Sequence, residues 1–314
     1  MTAIVEKALT LWCMEGAEVR LIAERENRVF RVDHAGRAHA LRLHRPGYCT
    51  NAELRSELLW MAAAAAGDIA VPAPVAASDG ALLHVIDGVA VDVLQWLAGA
   101  PVGKTGEPLS HADPVGLFKV IGVEMARLHA VSDAWRLPDG FTRRHWDRAG
   151  LLGEGPVWGR FWDNPTLDAD TRALLLRFRD AADADLAALE DTLDFGLIHA
   201  DLVRENVMLD AGRVQLIDFD DCGFGFRLFD LATTLLRNRT EPYYPALKAA
   251  LLDGYATVRT IETAPLDLFL ALRATTYVGW VINRMGEPGS AARNARFIAT
   301  ARDLVASYLA KGRP

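Results

Sequence analysis

The feature that most limits the fold of this chain is a change of hydrophobic period near residue 97. Upstream, apolar residues alternate or gather in short runs bounded by turn residues. Downstream, they recur every three or four positions. Residues 18–23, 27–33 and 37–44 read as three strands, with His34-Ala35-Gly36 as the turn between the last two. In the third strand His39, Leu41 and Leu43 share one face, while Ala40 and Arg42 share the other. Thr50 and Glu53 fit a capping box, opening a helix on which Leu54, Leu58 and Met61 form a stripe. Glu57 lies within that stripe, and a charge on an apolar face demands a partner. Residues 81–86 and 89–97 read as a hairpin turning at Asp87-Gly88. Beyond 97–103 the pattern is helical. Leu117, Ile121, Met125 and Leu128 form one apolar face, 174–189 is a second amphipathic helix, and 245–309 is helical with breaks at Pro265 and 286–288. The expected class is α+β: a small antiparallel-sheet domain over 1–97, a larger, mainly helical domain over 98–314, and a cleft between them.

Composition narrows the function. The chain has 314 residues, 51% hydrophobic and 24% charged, enough to bury a core without disulfides or a structural metal. The net charge of -7 argues against a partner held by phosphate neutralisation, so no nucleic acid is expected. Cys13, Cys49 and Cys222 are far apart and form no CxxC pair, which points to a reducing compartment. The first residues lack the pattern of a secretory signal, and no apolar run approaches the ~20 residues of a membrane span. A cytoplasmic protein without a membrane partner is expected, and the sequence sets no oligomeric state.

The informative stretch is 196–221, which reads strand, polar loop, strand, turn at Asp210–Gly212, strand, acidic loop. Asp201, Asn206 and Asp218 would stand at strand ends or loops, where a scaffold presents polar groups. Phosphoryl transfer from a nucleotide needs such a set. Mg2+ takes oxygen ligands and needs few from protein, and a further carboxylate must orient the acceptor hydroxyl. His199-x-Asp201-x-x-x-x-Asn206 followed by Asp218-Phe219 is a looser form of the protein-kinase catalytic-loop pattern.

On these residues the chain resembles the aminoglycoside phosphotransferase/choline kinase-like enzymes. HADLVRENVML resembles their catalytic loop and LIDFDD their metal-binding loop; GFRLFDLATTL and the helix ending MARLHA are also similar. The resemblance runs over about residues 20–285. ALRLHRPGY and WGRFW look most like the branch of type II homoserine kinases and bacterial stress-response kinases. It implies a two-lobed protein-kinase-like fold, Mg2+, and ATP or GTP as phosphoryl donor. Residue by residue, it implies Asp201 as catalytic base and Asn206 and Asp218 as holders of Mg2+. It implies a structural His199, and an Asp230 that hydrogen-bonds catalytic-loop backbone. No GxGxxG is present; residues 26–30 resemble the family's substitute, a turn whose amides and Asn27 cover the phosphates. The family's phosphate-positioning lysine is replaced by Arg42, which keeps the charge but changes the geometry. Glu57 is its expected partner. Gln95, Trp96 and Leu97 fall at the hinge where the family's backbone hydrogen-bonds the purine.

Two features bear on the acceptor. Asp220 and Asp221 follow Asp218, and such clustered acids either favour a cationic acceptor or pair with Arg204 or Arg227 as scaffold. The segments 143–147 and 158–163 are rich in Arg and Trp. There Trp146 and Trp162 either line a pocket for an amino acid carboxylate with an apolar wall or pack as a seam. Tyr277, Trp280 and Asn283-Arg284 stand at helical spacing, where they either close the same cleft or, as favoured, pack in the core. The favoured reading is transfer of the γ-phosphoryl group to a hydroxyl of a small amine-bearing metabolite, homoserine-like first and an aminoglycoside second. Two rivals stand beside it: a Ser/Thr protein kinase, and a catalytically silent nucleotide-binding regulator.

Overall fold

A computed structural model describes residues 3–24 and 27–311. In chain order its first elements are α1 (Ala3–Leu11), β1 (Glu18–Glu24), β2 (Arg28–His34), β3 (Arg37–Leu43), α2 (Asn51–Ala66), β4 (His84–Ile86), β5 (Val89–Gln95) and β6 (Ala100–Pro101). Then come α3 (Pro114–Ala134), β7 (Arg144–Trp146), α4 (Arg148–Leu152), α5 (Ala169–Leu189), β8 (Phe195–Ile198), β9 (Val207–Asp210) and β10 (Arg213–Leu216). The last are β11 (Gly223–Phe226), α6 (Arg227–Leu236), α7 (Tyr244–Ala256), α8 (Leu266–Trp280) and α9 (Ser290–Ala310). The chain divides into two compact units: Met1–Pro101 with Val131–Arg143 and Val207–Asp220, and the remainder. The division is therefore not a single cut. The β9–β10 hairpin and the segment from the last turn of α3 belong by contact with the first unit.

The first unit is built on an antiparallel sheet in the order β1-β2-β3-β5-β4. Its tight turns place Ala35 and Gly36, and again Asp87 and Gly88, at positive φ, the geometry of a two-residue hairpin loop. The inward faces of β2, β3 and β5 contribute Phe30, Val32, Leu41, Leu43, Val91 and Val93 to one core. The sequence reading did not anticipate α1. Its Val5, Ala8 and Leu9 lie at helical spacing, and with Trp12 they join this same cluster. On α2 the capping box forms as expected: the Thr50 hydroxyl accepts from the Glu53 amide at 3.2 Å, and Glu53 accepts from the Thr50 amide at 2.8 Å. A second, three-stranded sheet runs β10-β9-β6.

In the second unit β11 pairs with β8 antiparallel and with β7 parallel. Gly225 allows this close approach: a Cβ there would lie 2.4 Å from Ile198 Cδ1 and 2.8 Å from Trp146 Cβ. Every residue of α6 is buried, and α8 is buried over most of its length. No described helix is long and apolar enough to cross a membrane.

Candidate active site

In the second unit, β8 delivers the chain into a loop that one acid organises. Asp230, near the start of α6, accepts from the backbone amides of His199 at 2.8 Å and Ala200 at 2.6 Å. Its Oδ2 also meets His129 Nε2 at 3.0 Å, and His129 Nδ1 meets the Tyr255 hydroxyl at 2.9 Å. Burial alone would raise the Asp230 carboxyl, but the bond from His129 and the amide of His199 hold it below its ordinary value. Burial, helped by the charge of Arg227, lowers the His129 imidazole to about 4, so the ring is neutral at pH 7. Ala200 adopts φ 66°, a left-handed conformation that turns the chain sharply into Asp201. His199 Nδ1 accepts from the Asp201 amide at 3.3 Å, which makes this histidine a brace for the loop.

Both oxygens of Asp201 are held. Oδ1 accepts from Arg273 Nη2 at 2.7 Å, and Oδ2 from Asn206 Nδ2 at 3.1 Å. About a quarter of the side chain (24%) is exposed, so it can meet a substrate. Burial pushes its carboxyl up to about 7; Arg273 opposes the shift and Asp221 adds to it. Such a carboxyl can take up a proton near neutral pH. Arg273 projects from α8 and is fully buried. Its guanidinium lies 4.3 Å from the Trp158 ring centroid and 4.4 Å from that of Tyr277. Nε and Nη1 have no hydrogen-bond partner and lie among these ring faces. Asp221 Oδ1 accepts from Arg144 Nη1 at 2.9 Å and Trp158 Nε1 at 3.2 Å.

In the first unit, Arg42 sits among three acids. Its Nε and Nη2 grip Asp92 at 2.8 and 2.9 Å, and Nη1 meets Glu57 at 2.9 Å and Asp220 at 3.4 Å. Asp92 also meets His44 Nε2 at 2.6 Å. Burial would raise the Asp92 carboxyl, but the charges of Arg42 and His44 hold it far below the usual carboxylate range. The buried Arg143 pairs with Glu57 at 3.5 Å and donates to the Asp220 carbonyl at 2.7 Å. This ties α2 to the acidic loop. Asn27 Nδ2 donates to Asp220 Oδ2 at 2.5 Å; Glu26, in the same expected turn, lies outside the described residues. Burial and the neighbouring Asp218 push the Asp220 carboxyl up to about 8. Asp218 itself is exposed and adopts φ 68°. Val207, which follows Asn206, pairs with Leu216, two residues before Asp218. Asn206 has given its amide nitrogen to Asp201, which leaves its carbonyl oxygen as an acceptor. An amide oxygen and a carboxylate are each donors of the kind Mg2+ takes.

A sequence model of the phosphotransferase enzyme family matches residues 18–265. The chain belongs to that family. A microcompartment-associated aminopropanol kinase superposes with a TM-score of 0.84 at 30% identity, over 98% of this chain and 97% of that one. An amicoumacin kinase in complex with AMP-PNP and Ca2+ gives a TM-score of 0.76 at 21% identity, over 96% and 92% of the two chains, a likeness of fold. A homoserine kinase of Neisseria meningitidis serogroup B is 30% identical over 225 residues, 68% of this chain and 65% of that relative. The chain thus spans just under two thirds of that relative's length. The fold is the α+β, protein-kinase-like fold that the catalytic-loop and metal-loop motifs implied. The protein is a phosphotransferase with an alcohol group as acceptor.

The remaining expected residues fall in distinct settings. Arg204 is buried, with Nε on Asn238 at 2.7 Å, Nη1 on the Glu107 carbonyl at 2.6 Å and Nη2 on Glu241 at 2.5 Å. Trp146 is fully buried, stacked on Phe229, with Nε1 on the Asp221 carbonyl at 2.9 Å. Trp162 packs against Phe161, with the Arg179 guanidinium 4.1 Å from its ring centroid. Gln95 is exposed at the end of β5, where its amide donates to the Ala73 carbonyl at 2.8 Å, and Leu97 is half-buried. Sequence reasoning missed Asp92 and Arg273. Each carried a signal: a charge inside an apolar strand and a charge inside an apolar helix, neither of which survives burial without a partner.

Proposed function

We propose that this protein transfers the γ-phosphoryl group of ATP to the hydroxyl of a small amine-bearing acceptor, an amino alcohol or a hydroxy amino acid. The observation that carries this reading is the setting of Asp201, whose two oxygens are each held by a fixed donor and whose carboxyl is raised to about 7. Such a group aligns a hydroxyl and accepts its proton. The acceptor oxygen bonds to the γ-phosphorus, the bond from phosphorus to the β–γ bridging oxygen breaks, ADP leaves, and the hydroxyl proton passes to Asp201. Asn206 and Asp218 are the proposed holders of Mg2+, which when bound neutralises phosphate charge. Arg42, braced by Asp92 and Glu57, is the proposed cation for the phosphates. Asn27 would cover them, and Gln95 and Leu97 would offer backbone groups to the purine. Asp220 now lies on Arg42 and Asn27, so both donors must exchange it for phosphate oxygens when nucleotide enters.

The aminopropanol kinase and homoserine kinase relatives support an acceptor of this size and chemistry. The test is nucleotide turnover with Mg2+, with ATP and GTP separately, against hydroxyl-bearing amines, amino acids and aminoglycosides. Stimulation of ADP release by an amino alcohol or hydroxy amino acid, with the phosphorylated acceptor found by mass spectrometry, is the expected result. Phosphate appearing on protein, or on aminoglycosides alone, would contradict it.

A further inference from the structure

The second unit holds a cation in series with Asp201 that the reaction above does not use. Arg237 is the C-terminal capping residue of α6 and is half-buried. Its guanidinium lies 3.9 Å from the Tyr277 ring centroid and 5.3 Å from that of Phe297. Those rings are themselves stacked, 5.0 Å apart and 20° from parallel. Arg237 Nε donates to the Tyr277 hydroxyl oxygen at 3.1 Å. The guanidinium thus lies against ring faces and is pinned at Nε, with Nη1 and Nη2 left over.

Among the described residues no carboxylate pairs with Arg237, whereas Arg239, Arg284 and Arg293 each meet one. Arg239 meets Asp303 at 3.0 Å, and Arg293 and Arg284 meet Glu287 at 2.6 and 3.9 Å. Among the described residues no acceptor takes Nη1 or Nη2, and neither is a buried atom left without a partner. The same Tyr277 oxygen accepts from Arg273 Nη2 at 2.9 Å, and that nitrogen also donates to Asp201 Oδ1 at 2.7 Å. Three hydrogen bonds in series therefore run from Asp201 to Arg237. The charge of Arg273 is answered by Asp201 and that of Arg144 by Asp221, while Arg237, whose charge also acts on Asp201, makes no ion pair among the described residues. A guanidinium presents paired N–H groups that match a carboxylate, and stacking on rings fixes its plane in advance. Through bonds of 2.7, 2.9 and 3.1 Å this series keeps Arg237 Nε within about 9 Å of Asp201 Oδ1, a span on the scale of a small hydroxy amino acid with its hydrogen bonds.

We propose that Arg237 is the specificity-determining residue for the acceptor, binding its carboxylate through Nη1 and Nη2. The preferred substrate is then a hydroxy amino acid rather than the amino alcohol that lacks the carboxylate. This inference rests on the phosphotransferase reading of Asp201 and names the substrate class for that site.

The test compares matched acceptors: L-homoserine with 3-aminopropan-1-ol, L-threonine with 1-aminopropan-2-ol, and L-serine with 2-aminoethanol. Each is assayed with MgATP for the wild type, Arg237→Met and Arg237→Lys. The wild type is expected to favour the carboxylate-bearing member of the productive pair in kcat/KM. Arg237→Met should raise KM for that member roughly 30- to 100-fold, the scale of a lost charge-assisted pair. KM for ATP should stay unchanged, turnover of the partner amino alcohol should fall far less than that of the carboxylate-bearing member, and Arg237→Lys should recover part of the loss. A wild type that prefers the amino alcohol would overturn the proposal while leaving the phosphotransferase reading intact, as would an Arg237→Met variant that weakens both members equally. Failure to phosphorylate any of the six acceptors would overturn the reading on which the proposal rests, and the proposal with it.

Discussion

Replacing Asp92 with asparagine tests the brace behind Arg42. Asp92 is fully buried and receives three charged contacts, from Arg42 Nε at 2.8 Å, Arg42 Nη2 at 2.9 Å and His44 Nε2 at 2.6 Å. Asparagine keeps the shape but offers one acceptor oxygen, and its NH2 group faces donors. Removing one partner of a buried ion pair costs about 3–5 kcal/mol, because the other charge stays buried. Glu57 and Asp220 remain on Arg42, so the loss should fall at the lower end, about 3 kcal/mol. Against a total of about 5–15 kcal/mol this is a large fraction. Urea unfolding at pH 7.5, followed by both circular dichroism and tryptophan fluorescence, measures it. The variant should also show a raised KM for ATP, since Arg42 loses the contact that fixes its plane. A stability loss below about 1 kcal/mol, the size of an ordinary hydrogen bond, would refute the reasoning. It would mean that Glu57 and Asp220 alone hold the guanidinium.

Three further outcomes are expected. The share of stability owed to His129 should fall as pH drops from 6.5 to about 4, because the unfolded chain protonates His129 while the folded chain, with its imidazole lowered to about 4, does not; the raised Asp201 and Asp220 carboxyls act in the opposite sense. The His129 share is about 3 kcal/mol at most and appears as the difference between the wild-type and His129→Gln profiles over that window; parallel profiles would remove His129 as its source. Arg273→Met should lower kcat about 100-fold with KM for ATP unchanged, since Asp201 loses the donor on Oδ1; unchanged kcat would show that Arg273 only packs. Gly279→Ala would place a Cβ 2.4 Å from the Gly159 carbonyl oxygen and 2.8 Å from that of Trp158. It should cost about 1–3 kcal/mol and loosen the wall beside Arg273, which an unshifted thermal melt would contradict.

The parts legible in the sequence are those fixed by local rules. The β1–β2–β3 run, the Thr50–Glu53 capping box and the Asp87-Gly88 hairpin follow from alternation, capping chemistry and turn residues, and the structure forms all of them. The loop around Asp201 was legible because its polar residues interrupt short apolar strands at fixed spacing. The Arg42–Glu57 contact could be inferred because the family resemblance set Arg42 at the phosphate-positioning place and Glu57, a charge within an apolar stripe, required a partner. Long-range geometry was less legible. Helix α1 is short, and its helical spacing shows only once the sheet face it covers is known. Asp92 lies opposite Arg42 in the β3–β5 register, which the sequence does not state. Arg273 reaches Asp201 across 72 positions. Trp146 and Arg204 have the composition of a binding surface, and only their contacts reveal a packed ring and a fully engaged guanidinium.

The central claim is that Asp201 is the base of a phosphoryl transfer. The most direct measurement pairs acceptor-stimulated ADP release with ATP binding by calorimetry, in the wild type and in Asp201→Asn, with Mg2+ present. The account predicts that kcat falls by about 10²–10⁴ in the variant while the Kd for ATP is unchanged. Turnover that survives the substitution, with the same acceptor and the same KM, would contradict it.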